Sequence, residues 1–115
     1  MSDRMRRVNS VLREAIADEV EELKDPRLGF VTITGVDTAP NLRHATVYYS
    51  VIGTSDEQAS SQAALDAAAP RVSHALGQQI RMKYTPTLTF RVDESIERGA
   101  RIDQLLRQID EDPTE

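Results

Sequence analysis

Two β-rich stretches joined by a long helical stretch constrain the fold of this 115-residue chain more than any other feature. The first, Arg43–Ile52 (RHATVYYSVI), is rich in Val, Tyr and Thr, and both of its alternating sets are largely apolar, as expected for a central strand. The second, Thr87–Val92, alternates so that its apolar residues share one face. A helical crossover between two strands of one sheet makes them parallel and the connection right-handed.

The crossover itself, residues 55–82, is predicted to be two helices rather than one. Ser55 and Gln58 have the spacing of a capping box, and an alanine-rich stretch follows them. Pro70 inside a helix costs about 3 kcal/mol, and Gly77 costs about 1 kcal/mol relative to alanine. These two residues predict a bend between positions 70 and 77, and Pro70 is suited to the first position of a second helix.

The N-terminal third predicts a helix and one further strand. Residues 3–24 carry apolar side chains at three- and four-residue spacing, which indicates a helix that Asp3 or Ser2 caps. Phe30–Thr34 predicts a strand that Gly35 ends, and a connector then leads to Arg43–Ile52, so antiparallel pairing is the default.

These elements together predict an α+β fold. Three strands lie in the order 1-2-3 with the second one central, the first pair antiparallel and the second pair parallel, and helices cover one face. A weaker helical pattern, broken by Gly99, follows Val92. We therefore predict one domain over residues 3–106 and an acidic tail over residues 107–115.

The net charge of −5 conceals an uneven distribution. Residues 93–115 contain 3 basic and 8 acidic side chains, so the whole excess lies there and residues 1–92 are neutral overall. There is no apolar run near the roughly 20 residues of a membrane span, no secretory signal pattern and no cysteine. We expect a cytoplasmic protein with no membrane partner, and the neutral balance of residues 1–92 allows a basic face there.

Hydrogen-bond donors concentrate around the predicted bend. Donors this dense beside a helix break suit contacts with the phosphates and sugars of a nucleic acid. The first candidates for such contacts are Arg71, Ser73, His74, Gly77, Gln78, Arg81 and Lys83. At helical spacing only part of this set can point one way.

Four further arginines are secondary candidates. Arg6 and Arg13 share one face of the first helix with Asn9, and this strip is either ordinary helix surface or part of a phosphate-binding face. Arg27 and Arg43 are placed near one end of the predicted sheet. Charge alone leaves solvated surface and nucleic-acid contact as open alternatives.

Catalysis is not predicted. His44 and His74 are the only histidines, and the sequence has no cysteine nucleophile, no Gly-rich phosphate loop after a strand and no HExxH. Asp93 and Ser95 are interpreted as helix N-caps rather than a catalytic pair. We expect no enzyme activity, no cofactor, no metal and no small-molecule substrate.

The predicted order of helix, two strands, helix, bend, helix and strand resembles a type II KH-like domain, whose GXXG loop clamps RNA between two helices. The corresponding residues His74–Gly77 lack the first glycine. Over residues 3–106 the chain resembles more closely the bacterial ribosome-binding factor A family. The motifs that carry this resemblance are Lys24–Gly29 (KDPRLG), Ala45-x-Val47-Tyr48, Ala75-x-Gly77, Arg81 with Pro86-x-Leu88-x-Phe90, and Asp93-x-Ser95.

The resemblance implies a small-subunit assembly factor. Such proteins bind the free, immature small (30S) ribosomal subunit and its 16S rRNA, assist late maturation and 5′-end processing, are linked to growth in the cold, and are not nucleases. Without the first glycine, contact with folded RNA through shape and phosphates is expected rather than a single-strand clamp. The alternative is a general single-stranded RNA- or DNA-binding KH module, and in either case we expect a monomer.

Overall fold

A three-stranded mixed sheet organises the protein in the computed structural model, which describes residues 2–95. The elements in chain order are α1 (Asp3–Glu21), β1 (Phe30–Thr38), β2 (His44–Ile52), α2 (Ser55–Gln79) and β3 (Thr87–Val92). The sheet order is β1-β2-β3, with β1 and β2 antiparallel and β2 and β3 parallel. The predicted α+β class, strand order and strand directions are confirmed.

The core lies between the sheet and the two helices. In the central strand, Ala45, Val47 and Tyr49 are fully buried beneath the helices. Helix α1 packs mainly on β1 and α2 mainly on β3. The alternate residues of β2 lie on the other face of the sheet, where Thr46, Tyr48 and Ser50 are half-buried and His44 and Ile52 are exposed. Burying a side chain of the size of Val47 stabilises a fold by about 1.5–3 kcal/mol. Packing against the two helices therefore stabilises the sheet.

Helix α2 runs without a break from Ser55 to Gln79, so the prediction of two helices was wrong in this respect. Pro70 lies inside the helix with its ring exposed, where it removes only the hydrogen bond to the Asp66 carbonyl. Buried side chains on both sides of it, Leu65 and Val72, pack on the core. That burial outweighs the local cost of the proline. The type II KH-like arrangement, which needs two helices here, is therefore not confirmed.

The capping box of α2 also differs from the predicted one. The Thr54 side chain accepts a hydrogen bond from the Glu57 backbone N–H, and the Glu57 carboxylate accepts one from the Thr54 backbone N–H. This box lies one residue earlier than the predicted Ser55 and Gln58 pair.

Strand β1 continues through Gly35 instead of ending there, because a β-bulge interrupts its register between Ile33 and Gly35. Ile33 pairs with Tyr49, whereas Gly35 pairs with Tyr48. The extra residue shifts the alternation by one position, so that Thr38 is buried on the helical face as Ile33 is. The sequence pattern breaks at the bulge, and the prediction read that break as the end of the strand.

Ser2 caps the N-terminus of helix α1, since its side chain accepts a hydrogen bond from the Met5 backbone N–H, and the last helical residue is Glu21. The Asn9 side chain is buried and accepts a hydrogen bond of 3.0 Å from the Thr38 backbone N–H. Asn9 therefore joins α1 to the end of β1, and it does not belong to an exposed strip with Arg6 and Arg13.

No helix within residues 2–95 is long and apolar enough to cross a bilayer. The predicted helical pattern after Val92, the acidic tail at residues 107–115 and the domain boundary at residue 106 fall beyond Ser95 and lie outside the described residues.

Replacing Pro70 with alanine tests whether α2 is continuous. Alanine restores the N–H donor and relieves the clash with the preceding turn, which stabilises the folded helix by up to about 3 kcal/mol. Alanine also makes the unfolded chain more flexible, which lowers the stability by about 1 kcal/mol. We expect Pro70→Ala to raise the free energy of unfolding by about 2 kcal/mol in urea denaturation. An unchanged unfolding midpoint would mean that the helix ends at residue 70.

Candidate nucleic-acid interface

A groove with a basic rim lies between the first half of α1, the β1–β2 loop and the segment that follows α2. Its lining residues are Arg4, Arg7, Val8, Val11, Leu12, Leu42, Ile80, Arg81, Met82 and Lys83. Four of these carry a positive charge, none is acidic, and the remaining six form an apolar floor. We call this feature the cationic groove.

The α1 side of the groove follows from helical spacing. Arg4, Arg7 and Val11 are separated by three and four residues, so they share one edge of the helix, and Val11 is 50% exposed there. Positive charges in the first turns of a helix oppose its dipole at a cost of about 0.3–1 kcal/mol each. A bound anion reverses that cost, because it is attracted both by the arginines and by the helix N-terminus.

The opposite side of the groove depends on how the chain returns along the end of α2. The Ser73 hydroxyl donates a hydrogen bond of 2.7 Å to the Pro86 carbonyl. A Cβ atom built on Gly77 would lie only 2.7 Å from the Thr85 side-chain oxygen, so a larger residue would have to displace the Thr85 side chain. Ser73 and Gly77 therefore hold the segment that carries Arg81 and Lys83, and the predicted backbone-phosphate contact of the Ser73 hydroxyl competes with this internal bond.

A half-exposed tyrosine extends the cluster beyond the groove. The Arg43 guanidinium lies 4.4 Å from the centroid of the Tyr84 ring, and the Lys83 ammonium lies 5.5 Å from it. Tyr84 is 43% exposed. Such cation–π contacts fix the direction of both cations at little cost to their charge.

The β1–β2 loop brings Arg43 to this position through a strained residue. Leu42 has a φ of 62°, in the left-handed region that costs a residue with a Cβ about 1–2 kcal/mol. The Asn41 side chain accepts a hydrogen bond from the Arg43 backbone N–H and supports the turn. The strain places the Leu42 side chain on the groove floor and Arg43 beside Tyr84.

Arg71, His74 and Gln78 occupy the outer face of α2 at helical spacing, and the His74 and Gln78 side chains are 3.4 Å apart. Gln78 borders the segment that carries Arg81 and Lys83. Arg71 is eight residues before the end of α2, a rise of about 12 Å, and it borders the turn that contains Glu22 and Asp25. The structure thus brings Arg81 and Lys83 together but places Arg71 apart from them.

The remaining predicted arginines are dispersed. The Arg27 guanidinium donates hydrogen bonds to both oxygens of the Asp25 carboxylate, the two shortest at 2.7 and 3.1 Å, and these bonds hold the pKa of Asp25 below its usual value. Arg6 lies on a different edge of α1 from Arg4, because two residues correspond to about 200° of helical rotation. Arg13 is likewise exposed but does not line the groove.

Sequence reasoning missed Arg4, Arg7 and Tyr84. The signal for the two arginines is their spacing: Arg4, Arg7 and the exposed Val11 are three and four residues apart, so they share one edge of the helix. Tyr84 follows Arg81 and Lys83 directly, and an aromatic residue among cations is a common feature of nucleic-acid interfaces. Tyr49, in contrast, is buried in the core.

Comparisons with known proteins identify relatives of the whole described fold. The sequence model of the ribosome-binding factor A family matches residues 4–106. Ribosome-binding factor A of Rubrobacter xylanophilus is 46% identical over 111 residues, which cover 95% of this chain and 90% of that protein.

Two structures of the Thermus thermophilus factor are also similar. The crystal structure of that factor matches with a TM-score of 0.70 at 27% identity, over 76% of this chain and 94% of that chain. A homology model of the same factor, fitted into a cryo-EM map of its 30S complex, matches with a TM-score of 0.63 at 28% identity, over 75% of this chain and 91% of that chain. The chain belongs to the ribosome-binding factor A family.

Proposed function

We propose that this protein binds the small ribosomal subunit through its 16S rRNA, with the cationic groove as the main contact surface. The observation that carries the proposal is the convergence of Arg4, Arg7, Arg81 and Lys83 on one groove, whose lining residues within positions 2–95 include no carboxylate. A protein whose residues 1–92 are neutral overall gains a local basic field only by such clustering.

Phosphate is the group that this arrangement fits best. Arginine and lysine on opposite walls of a groove can neutralise successive phosphates of one strand, and counterion release then drives binding. The N-terminus of α1 adds its own attraction for anions. Arg43, oriented by Tyr84, extends the same basic surface along the β1–β2 loop.

The other predicted donors form a second row in this proposal. Gln78 borders the segment that carries Arg81 and Lys83, His74 lies beside Gln78 on the outer face of α2, and Arg71 extends this row toward the turn at residues 22–26. Gly77 contributes by permitting the chain return that positions Arg81 and Lys83. Contacts of Arg6, Arg13 and Arg27 with RNA stay predictions, since each lies outside the groove lining.

The protein's role, in this proposal, is to assist late maturation of the small subunit, including 5′-end processing of 16S rRNA, by binding and not by cleavage. It acts in the cytoplasm as a monomer, prefers the free subunit and supports growth in the cold. The family membership and the relative fitted into a 30S complex support this assignment.

A general single-stranded RNA-binding module is the second candidate function. The exposed Tyr84 ring and the apolar groove floor favour it, because unpaired bases stack on aromatic rings. The return of residues 85 and 86 onto Gly77 and Ser73 disfavours a KH-type clamp at that point. Binding of short oligonucleotides as tightly as an intact subunit would select this candidate.

Co-sedimentation tests the proposed partner. We expect the chain to sediment with free small subunits at moderate salt and to leave them when salt is raised, because phosphate contacts dominate the affinity. Assembled ribosomes should retain much less. Equal retention by free subunits and assembled ribosomes would contradict the preference for the free subunit.

Neutralising one wall of the groove tests its role. Arg81→Ala with Lys83→Ala should weaken subunit binding about 10- to 50-fold at 0.1 M salt and reduce the slope of log K against log salt by about 1.5. The matched control is Lys24→Ala with Arg91→Ala, which removes the same charge from exposed positions outside the groove. Equal losses in both variants would mean that only net charge matters.

Incubation with precursor rRNA tests whether the protein acts by binding alone. Purified chain should leave the RNA length unchanged, and it should increase the fraction of mature 5′ ends only when a processing nuclease and small subunits are present. Site-specific cleavage by the chain without added nuclease, measured by gel electrophoresis, would overturn this part of the proposal.

A further inference from the structure

Within residues 2–95, an apolar pair is left uncovered on the face of the sheet opposite the two helices. Phe30 and Ile52 are cross-strand partners at one end of the β1–β2 ladder, and they are 83% and 79% exposed. Among the described residues they are the most exposed large apolar side chains. Their alternation with Ile33 and Val51, which belong to or pack against the core, places them on the open face.

The described chain leaves the sheet over this same face. After β3, the Asp93 backbone N–H donates a hydrogen bond to the Tyr49 carbonyl, which extends the parallel ladder by one residue. The Thr34 hydroxyl in the β1 bulge donates a hydrogen bond of 2.6 Å to the Asp93 carboxylate. Since β2 lies between β1 and β3, these two side chains meet above the central strand.

The Asp93 carboxylate also directs the next residues. Its second oxygen accepts hydrogen bonds from the Ser95 backbone N–H at 3.0 Å and from the Ser95 hydroxyl at 2.5 Å. The bonds from Ser95 and Thr34 lower the pKa of Asp93, so the carboxylate stays charged at neutral pH. The exit from β3 is thus held above the end of the sheet where Phe30 and Ile52 lie.

The chain continues for 20 residues beyond Ser95. Within that stretch Ile102, Leu105, Leu106 and Ile109 recur at offsets of three, four and seven residues, which is the spacing of one helical stripe. The seven residues from Ser95 to Ile102 reach between about 10 Å if helical and about 23 Å if extended. Phe30 is four residues along β1 from Thr34, about 13 Å, and so lies within that reach.

We propose that residues 102–109 of the same chain pack their apolar stripe on Phe30 and Ile52 and cover this end of the open face. Docking there holds the acidic residues at positions 110–115 at the far end of the sheet from the cationic groove. The nine residues of β2 separate the two ends by about 30 Å. The acidic end is thereby kept from occupying the groove in place of RNA.

Engineered disulfides in the full chain test the docking, because the protein has no cysteine of its own. Ile52→Cys combined with Leu106→Cys should form an intramolecular disulfide under mild oxidation, since the two Cα atoms must approach within about 7 Å. The matched control is Thr87→Cys combined with Leu106→Cys, because Thr87 is exposed on the open face at the opposite end of the sheet. We expect the first pair to lose its free thiols about tenfold faster than the control.

Three outcomes of the disulfide test would overturn the proposal. Equal rates for the two pairs would mean that the segment samples both ends alike. Disulfide-linked dimers without the intramolecular product would identify a second copy of the chain as the occupant. Absence of any product for the first pair would place the segment elsewhere.

A second measurement guards against disturbance by the cysteines. In the full chain, Ile102→Asp with Leu106→Asp should shift the NMR signals of the Phe30 ring and the Ile52 methyl groups and leave those of core Leu12 unchanged. Unchanged Phe30 and Ile52 signals would overturn the proposal. Gln104→Asp with Gln108→Asp adds the same charge off the stripe and should leave the Phe30 and Ile52 signals unshifted.

Discussion

The parallel pairing of β2 with β3 is the constraint on which the rest of the structure depends. Two parallel neighbours cannot be joined by a tight turn, so the chain must cross the sheet and return to the end from which β2 started. Helix α2 makes that crossing, and its buried side chains pack on the same strands that it connects. One requirement therefore determines the helical layer, the position of the core and the route of residues 80–86.

The cationic groove is a product of that return route. Residues 80–83 come back beside the start of β2, where the β1–β2 loop and the first half of α1 already lie. Three segments far apart in the sequence thus meet at one end of the molecule. The protein tolerates unfavourable features there, namely arginines at a helix N-terminus and a leucine in the left-handed region. Local instability of this kind is expected where a surface is arranged for a ligand rather than for the free protein.

Most of the architecture could be predicted from the sequence, because periodicity reports burial directly. The alternation in Thr87–Val92 and the apolar stripe of α1 needed no tertiary information. Pro70 was misread because a local penalty of about 3 kcal/mol was taken as decisive, whereas packing of α2 on the core exceeded it. Gly35 was misread because the bulge breaks the alternation of β1 at that point. Sequence reasoning could not show which of the basic residues lie together in the fold. Whether Arg71 joins Arg81 depends on where the chain turns after α2, and Ser73 is used internally only because Pro86 returns to it.

The bulge in β1 has a consequence for the solubility of the folded protein. Because β1 lies at one side of the three-stranded order, its outer row of backbone donors and acceptors has no neighbouring strand in the described part of the chain. A regular edge of nine residues would be a template on which another molecule could add a strand and begin a fibril. The extra residue at Thr34 breaks the spacing of that row and increases the local twist, so an incoming strand cannot pair along its length. Insertion of one residue therefore both preserves the core register and opposes edge-to-edge association.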